Sequence, residues 1–302
     1  MPGRFGYNTV TGAAGRLSAA AASDQSSLRE RKRDDMANFQ VQYFSQALER
    51  KTIFQAAIPN DLRTDAGRTP NAHQKRPAKT LFILHGYTGM AENWVSEAMM
   101  EHYNVAVISA SAENSFYLDA EATGHRFETM LAIELVDYVR KTFGLAMRPE
   151  DTYIAGISMG GFGAIHTGLA HPDRFSKIAA LSSALIVHQI AGMTREDERP
   201  GMLANYAYYA GCFGDLATVE TRDTNPEVLI RKLKKEGKAI PEIYMCCGSE
   251  DFLIEPNREF HRFLSEEGVP HEYHESKGIH DGVFWSEYEP KALEWLFRDE
   301  AE

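Results

Sequence analysis

Cysteine is scarce here, with three in 302 residues, which excludes a disulfide scaffold. Cys246 and Cys247 are neighbours in an apolar run, which suits buried thiols in a strand better than a bridge. A reducing compartment and a cytoplasmic location are the matching expectations. Long apolar runs are also missing: none approaches the ~20 residues of a membrane span, so no membrane partner is expected. Positive charge is in deficit, 32 Lys+Arg against 43 Asp+Glu for a formal net charge of −11. With no basic stripe to offset it, nucleic acid is excluded as a partner, and the average field disfavours anionic substrates. What remains is ordinary for a globular protein, 43% hydrophobic and 25% charged.

Residues 1–35 are unlike the rest, rich in Ala, Gly and Ser before the charged run from Arg29 to Asp35. Arg16 and several polar residues interrupt any apolar region after Arg4, so a secretory signal is not expected. Met36-Ala37-Asn38-Phe39 reads as a natural start, and residues 1–35 as a disordered, appended or upstream extension. That segment carries six Lys/Arg and four Asp/Glu, leaving 26 against 39 in a folded part near −13.

From Met36 on, the pattern is one domain, 36–302, without internal repeats. Phe39 to Phe44 and Lys51 to Ile58 alternate as half-buried strands with no room between them for a helix, so they are expected to be antiparallel. Asp61 to Ala78, with Gly67, Pro70 and Pro77, is a loop. Thr80 to Leu84 is a continuous apolar run, as in a strand buried on both faces, and Tyr103 to Ser109 gives another. His125 to Phe143 has helical periodicity and stops at Gly144. Strands then recur at Thr152, Ile178, Ile243 and His271, with helices between them. Strands alternating with helices predict an α/β fold with a mostly parallel sheet covered on both faces. Residues of about 185–239 break the rhythm and read as an insert capping the site.

Gly156-Ile157-Ser158-Met159-Gly160 sits between the strand-like Thr152 to Ala155 and the small-residue helix start Gly161 to His166. A strand that turns sharply into a helix with serine at its apex needs glycine on both sides, because a Cβ there would clash. This is the nucleophile elbow, which presents a serine oxygen at a helix N-terminus.

A serine hydroxyl needs a base to take its proton, and the base needs an orienting carboxylate. In this architecture the chain order is Ser, acid, His, with each at the C-terminal end of a strand. Asp251 follows the strand ending at Cys247, and His280 follows the next one. Rivals are Glu250 and Asp281 for the acid, His274 and His85 for the base. Asp281 is too close in sequence to reach behind the ring, His274 lies within a strand pattern, and His85 before Gly86 reads as a loop anchor. The oxyanion would be held by two backbone amides, Met159 and, from His85-Gly86-Tyr87-Thr88-Gly89, Tyr87. Trp94, Phe116, Tyr206 and Trp285 are candidate substrate-binding residues, with packing the equal alternative for each. Tyr208 and Tyr209 share the reading given to Tyr206. His271 and His274 do not suit a metal, since a three-residue spacing on a strand points their rings to opposite faces.

These residues together resemble the α/β-hydrolase-fold esterases, in particular the tributyrin-esterase or acetylesterase type of the esterase D and feruloyl-esterase group. The resemblance runs from Met36 to the C-terminus. It rests on His85 to Gly89, Ser115-Phe116-Tyr117 with Gly124, Gly156 to Ala164, Glu250 to Leu253, and Gly278 to Asp281 with Phe284-Trp285. It implies an eight-stranded, mostly parallel sheet flanked by helices, with a cap insert. It also implies hydrolysis of short-chain acyl esters of small molecules without a cofactor, and it leaves a homo-oligomer open. Gly282 stands where relatives often carry tryptophan, a loss that would widen the acyl or alcohol pocket, so substrate preference carries over poorly from the resemblance. The alternatives are an S-formylglutathione hydrolase-like thioesterase, a feruloyl or acetyl-xylan esterase, and an inactive hydrolase-fold binding module.

Overall fold

A computed structural model describes residues 36–60, 69–120, 122–197 and 202–298; the expectation for residues 1–35 lies outside them. The apolar runs become eight strands: β1 (Met36–Ser45), β2 (Arg50–Pro59), β3 (Lys79–Leu84), β4 (Val105–Ala110), β5 (Thr152–Ile157), β6 (Lys177–Leu181), β7 (Glu242–Gly248) and β8 (His271–Ser276). They form one sheet in the order β1-β2-β4-β3-β5-β6-β7-β8. As the missing connection implied, β1 and β2 are antiparallel; β2 pairs antiparallel with β4, and the other neighbours are parallel. The sheet is that of the α/β-hydrolase fold.

The helices among the described residues are α1 (Glu97–Tyr103), α2 (Phe127–Thr129), α3 (Val136–Phe143), α4 (Met159–Ala170), α5 (Val187–Ile190), α6 (Tyr206–Phe213), α7 (Pro226–Glu236), α8 (Ile254–Glu266) and α9 (Gly282–Phe297). The expected helix over 125–143 is interrupted by a π-turn at Met130–Leu135 between α2 and α3. Glu134 in that turn reaches back to accept from Ser45 Oγ and the Ala47 amide, tying the β1–β2 turn to the helix layer.

Strand alternation sorts the core into two layers. Phe82, Leu84, Ile154 and Met245 face a layer that includes Phe162, Leu131 and Leu233. Leu81, Ile83, Tyr153 and Tyr244 face the other, with Met100, Tyr288 and Leu296. Cys246 and Cys247 are fully buried free thiols within β7, as their apolar setting predicted. The chain runs from β3 to β4 on one side and returns through β5 on the other side of β3. The sheet therefore has its topological switch at the C-terminal ends of β3 and β5, the expected place for a ligand crevice.

Three of the helices, α5, α6 and α7, fall within residues 185–239. His188 on α5 bridges Glu220 (Nδ1, 2.7 Å) and Glu227 on α7 (Nε2, 2.8 Å). The Glu227 hydrogen bond, with that of Glu220, outweighs partial burial and raises the imidazole from 6.5 to about 9. Because the folded value is raised, this stabilisation is complete below pH ~6.5 and is lost as pH rises through about 9. The side chain is 41% exposed, so solvent screening reduces the effect to about 1 kcal/mol. Raising the pH from 6.5 to 9.5 should therefore cost the wild type ~2–4 °C of Tm beyond the loss in His188→Gln. Equal losses in a paired thermal melt would contradict this.

Candidate active site

Two strand ends at the topological switch meet at Ser158. The residue has φ 59° and ψ −117°, with its amide bonded to Leu181 O at 2.9 Å and its carbonyl accepting from the Phe162 and Ala184 amides. A positive φ on a non-glycine residue is strained and needs surroundings that over-determine it. The glycines supply the closeness: a Cβ on Gly156 would lie 2.1 Å from Gly160 O, and one on Gly160 would lie 2.1 Å from Leu84 O. Any side chain there would push α4 off the sheet and move Ser158 with it.

Ser158 Oγ lies 2.9 Å from His280 Nε2, and His280 Nδ1 lies 2.8 Å from Asp251 Oδ2 and 3.0 Å from Oδ1. An ionised carboxylate only accepts, so Nδ1 carries the hydrogen and Nε2 is left to accept the serine proton. Burial pushes the Asp251 carboxyl up. Hydrogen bonds from His280 and the Leu253 amide, the His280 charge and a Ser182 hydrogen bond more than offset it, leaving the group below its usual value. Of the rivals, Asp281 caps α9 by accepting from the Val283 and Phe284 amides. Glu250 is exposed and has no bond to the histidine ring, and His274 bonds Glu272.

His85 anchors a loop, as its sequence position suggested. The Ala112 amide donates to its Nε2 at 3.0 Å, so Nδ1 carries the hydrogen and donates to Gly86 O at 2.8 Å. Burial lowers its pKa, which keeps the ring neutral. Asn114 accepts the Thr88 amide at 2.7 Å, and Tyr117 donates to His85 O. The loop is thereby held against the elbow, where a Cβ on Gly86 would touch Ser158 Cβ at 3.5 Å. Among the described residues neither the Tyr87 nor the Met159 amide has a protein acceptor.

A cavity of about 410 Å³ opens over Ser158. Tyr87, Phe116, Met159, Ala184, Phe252 and Leu253 line it from the core side, and Ile186, Gln189, Met202, Leu203, Tyr208 and Tyr209 from the insert. No charged side chain is among these lining residues. Of the candidate substrate-binding residues, Phe116 lines the cavity, whereas Trp94, Tyr206 and Trp285 do not. Tyr206, at the first turn of α6, packs partly buried against the core layer with Arg195 over its ring instead. Trp94 packs against the core layer of α1 and α9. Trp285 lies behind His280, its ring edge-on at 5.0 Å. Sequence reasoning misses Gln189 and Met202, which carry no motif; only folding brings them to the cavity over Ser158.

A serine presented on a strand-to-helix turn above this sheet defines the serine hydrolases of the α/β-hydrolase fold. A family model described as "Putative esterase" matches residues 45–295. The chain is 39% identical over 265 residues to an acetyl esterase of Caldicellulosiruptor saccharolyticus, covering 86% of this chain and 98% of the relative. Two Staphylococcus aureus structures are similar, each aligned over 86% of this chain and 98% of its own. One is FphF, a fluorophosphonate-binding serine hydrolase (TM-score 0.72, 26% identity), and the other is the S-formylglutathione hydrolase FrmB (0.70, 28%). The chain belongs to this esterase family and is a carboxylic ester hydrolase.

Proposed function

We propose that this esterase hydrolyses short-chain acyl esters of uncharged alcohols through an acyl-enzyme on Ser158. The observation that carries the reading is the continuous Ser158–His280–Asp251 hydrogen-bond chain at the base of an apolar cavity. His280 Nε2 takes the Ser158 proton as Oγ attacks the carbonyl carbon, then delivers it to the leaving alkoxide. Asp251 keeps His280 in the tautomer that can accept and stabilises the imidazolium. The Tyr87 and Met159 amides hold the developing oxyanion, each worth about 2.7–4 kcal/mol of barrier. Water activated by His280 then attacks the acyl carbon and releases Ser158. The acetyl esterase relative supports the short acyl chain. A glutathione thioester brings an anionic tripeptide, for which the described lining offers neither Lys nor Arg; this favours the ester over the thioester reading.

The test is a p-nitrophenyl series from acetate to palmitate, with S-formylglutathione alongside. Expected is a kcat/KM highest at acetate or butyrate and at least ~100-fold lower at palmitate, since the cavity is bounded. A preference for palmitate, or for the thioester, would reject the assignment.

A further inference from the structure

Side chains knit the loops after β3 and β4 together at two places. The Ala112 amide and the Tyr117 hydroxyl both fasten His85, at the start of the β3 loop. Asn114 Oδ1 instead reaches the tip, where it accepts the Thr88 amide at 2.7 Å. Thr88 is strained: its φ is 65°, and a β-branched side chain in the left-handed region is rare and costly. Gly86 O accepts the Gly89 amide at 3.0 Å, closing a turn with Tyr87 and Thr88 at its centre. With a positive φ at Thr88 and not at Tyr87, the turn is type II, and glycine is the ordinary residue at the Thr88 position.

Tyr87 is thereby clamped between two planar peptides. A trans peptide is rigid, so Gly86 O and the Tyr87 N–H point in opposite directions and turn together. Gly86 O is held by the Gly89 amide and, at 2.8 Å, by His85 Nδ1–H. The peptide on the other side, between Tyr87 and Thr88, is held by Asn114. Rotating that peptide would relieve the strain at Thr88 and let Tyr87 pivot. The same Asn114 also carries the insert. Its carbonyl accepts Tyr208 Oη–H at 2.6 Å and the Cys212 thiol at 3.6 Å, two residues one turn apart on one face of α6. The Tyr208 ring stands edge-on to Tyr87 at 5.9 Å.

We propose that Asn114 is a positioning residue for the oxyanion hole: its side chain holds the strained turn that presents the Tyr87 amide, and the insert, through Tyr208, holds Asn114. The docked insert thus roofs the cavity and also sets a donor that stabilises the transition state. Asn114 is not among the residues lining the cavity, so its loss is felt in kcat and not in KM. The inference rests on the reading of Ser158 as nucleophile and of the Tyr87 amide as an oxyanion donor.

The experiment measures p-nitrophenyl butyrate turnover and inhibition by butylboronic acid in wild type, Asn114→Ala, Tyr208→Phe and Ser158→Ala, with thermal melts to establish folding. Ser158 Oγ adds to the boron as its proton passes to His280, leaving a tetrahedral oxyanion for the two amides to bind. A displaced donor forfeits part of an effect of about 10²–10³, so Asn114→Ala should lower kcat about tenfold with KM within about twofold. The boronate Ki should rise by about the same factor, because the adduct mimics the transition state. Glycine adopts a positive φ freely, so Asn114→Ala in a Thr88→Gly background should cost no more than about twofold. Tyr208→Phe keeps the ring and should lower kcat about threefold, a loss that Thr88→Gly also relieves. Wild-type kcat in folded Asn114→Ala or Tyr208→Phe would overturn the inference. So would a raised KM at unchanged kcat, an unmoved boronate Ki, or a loss undiminished by Thr88→Gly. If Asn114→Ala does not fold, Tyr208→Phe still reads the kcat-against-KM split. Ser158→Ala separates the levels: its inactivity beside a wild-type-like Asn114→Ala sinks only the positioning role, whereas its full activity sinks the reacting serine and this inference with it.

Discussion

Ser158→Ala should lower kcat on p-nitrophenyl acetate and butyrate by about 10⁵-fold and abolish labelling by a fluorophosphonate probe. The magnitude follows from removing the nucleophile of a group that acts as a unit, leaving only binding and oxyanion stabilisation above the reaction in water. Little else should change. The substituted alanine keeps the Cβ that the elbow already accommodates, and the backbone bonds to Leu181, Phe162 and Ala184 do not involve the hydroxyl. Tm should therefore stay close to that of the wild type, since alanine keeps the same backbone conformation, φ 59°, and the strain that goes with it. A folded Ser158→Ala protein retaining more than a few per cent of wild-type kcat would mean that hydrolysis proceeds at another group.

The parts of the molecule legible in the sequence are those with a local physical cause. The apolar run Thr80 to Leu84 can only be a strand buried on both faces, and it is β3. Gly156 and Gly160 flank Ser158 because backbone atoms pass 2.1 Å from where their Cβ atoms would be. Asp251 and His280 can be picked out because each follows a strand at the C-terminal edge of the sheet, which is a rule of the architecture. The failures share the opposite character. Trp94, Tyr206 and Trp285 are large aromatics near motifs, but which way a ring points is decided by tertiary packing. Tyr208 and Tyr209, two and three positions on from Tyr206, face the cavity only because α6 docks with that side inward. The π-turn in 130–135 leaves no sequence signature, because its apolar spacing still satisfies a helix. Helix α1 escapes the sequence altogether, and at seven residues it is too short for periodicity to stand out.

Asp251→Asn should be the second most damaging change, lowering kcat by about 10⁴-fold while leaving KM and the fold nearly unchanged. The reason lies in which atoms carry hydrogen. Oδ1 of Asp251 already accepts the Leu253 amide at 2.8 Å, so in the asparagine variant the carbonyl oxygen takes that place and the NH₂ faces His280. An amide NH₂ donates, which forces His280 Nδ1 to become the acceptor and puts the hydrogen on Nε2. Nε2–H cannot take a proton from Ser158 Oγ 2.9 Å away, so the serine is left unactivated although no heavy atom need move. The imidazolium also loses its neighbouring negative charge. Activity should partly return at high pH, where hydroxide replaces the missing base. A variant with near-wild-type kcat at pH 7 would show that the carboxylate serves only to pack the loop after β7. In that case Glu250 or Asp281, though turned elsewhere in this structure, would have to supply the charge, and double substitution with Asp251→Asn would identify which.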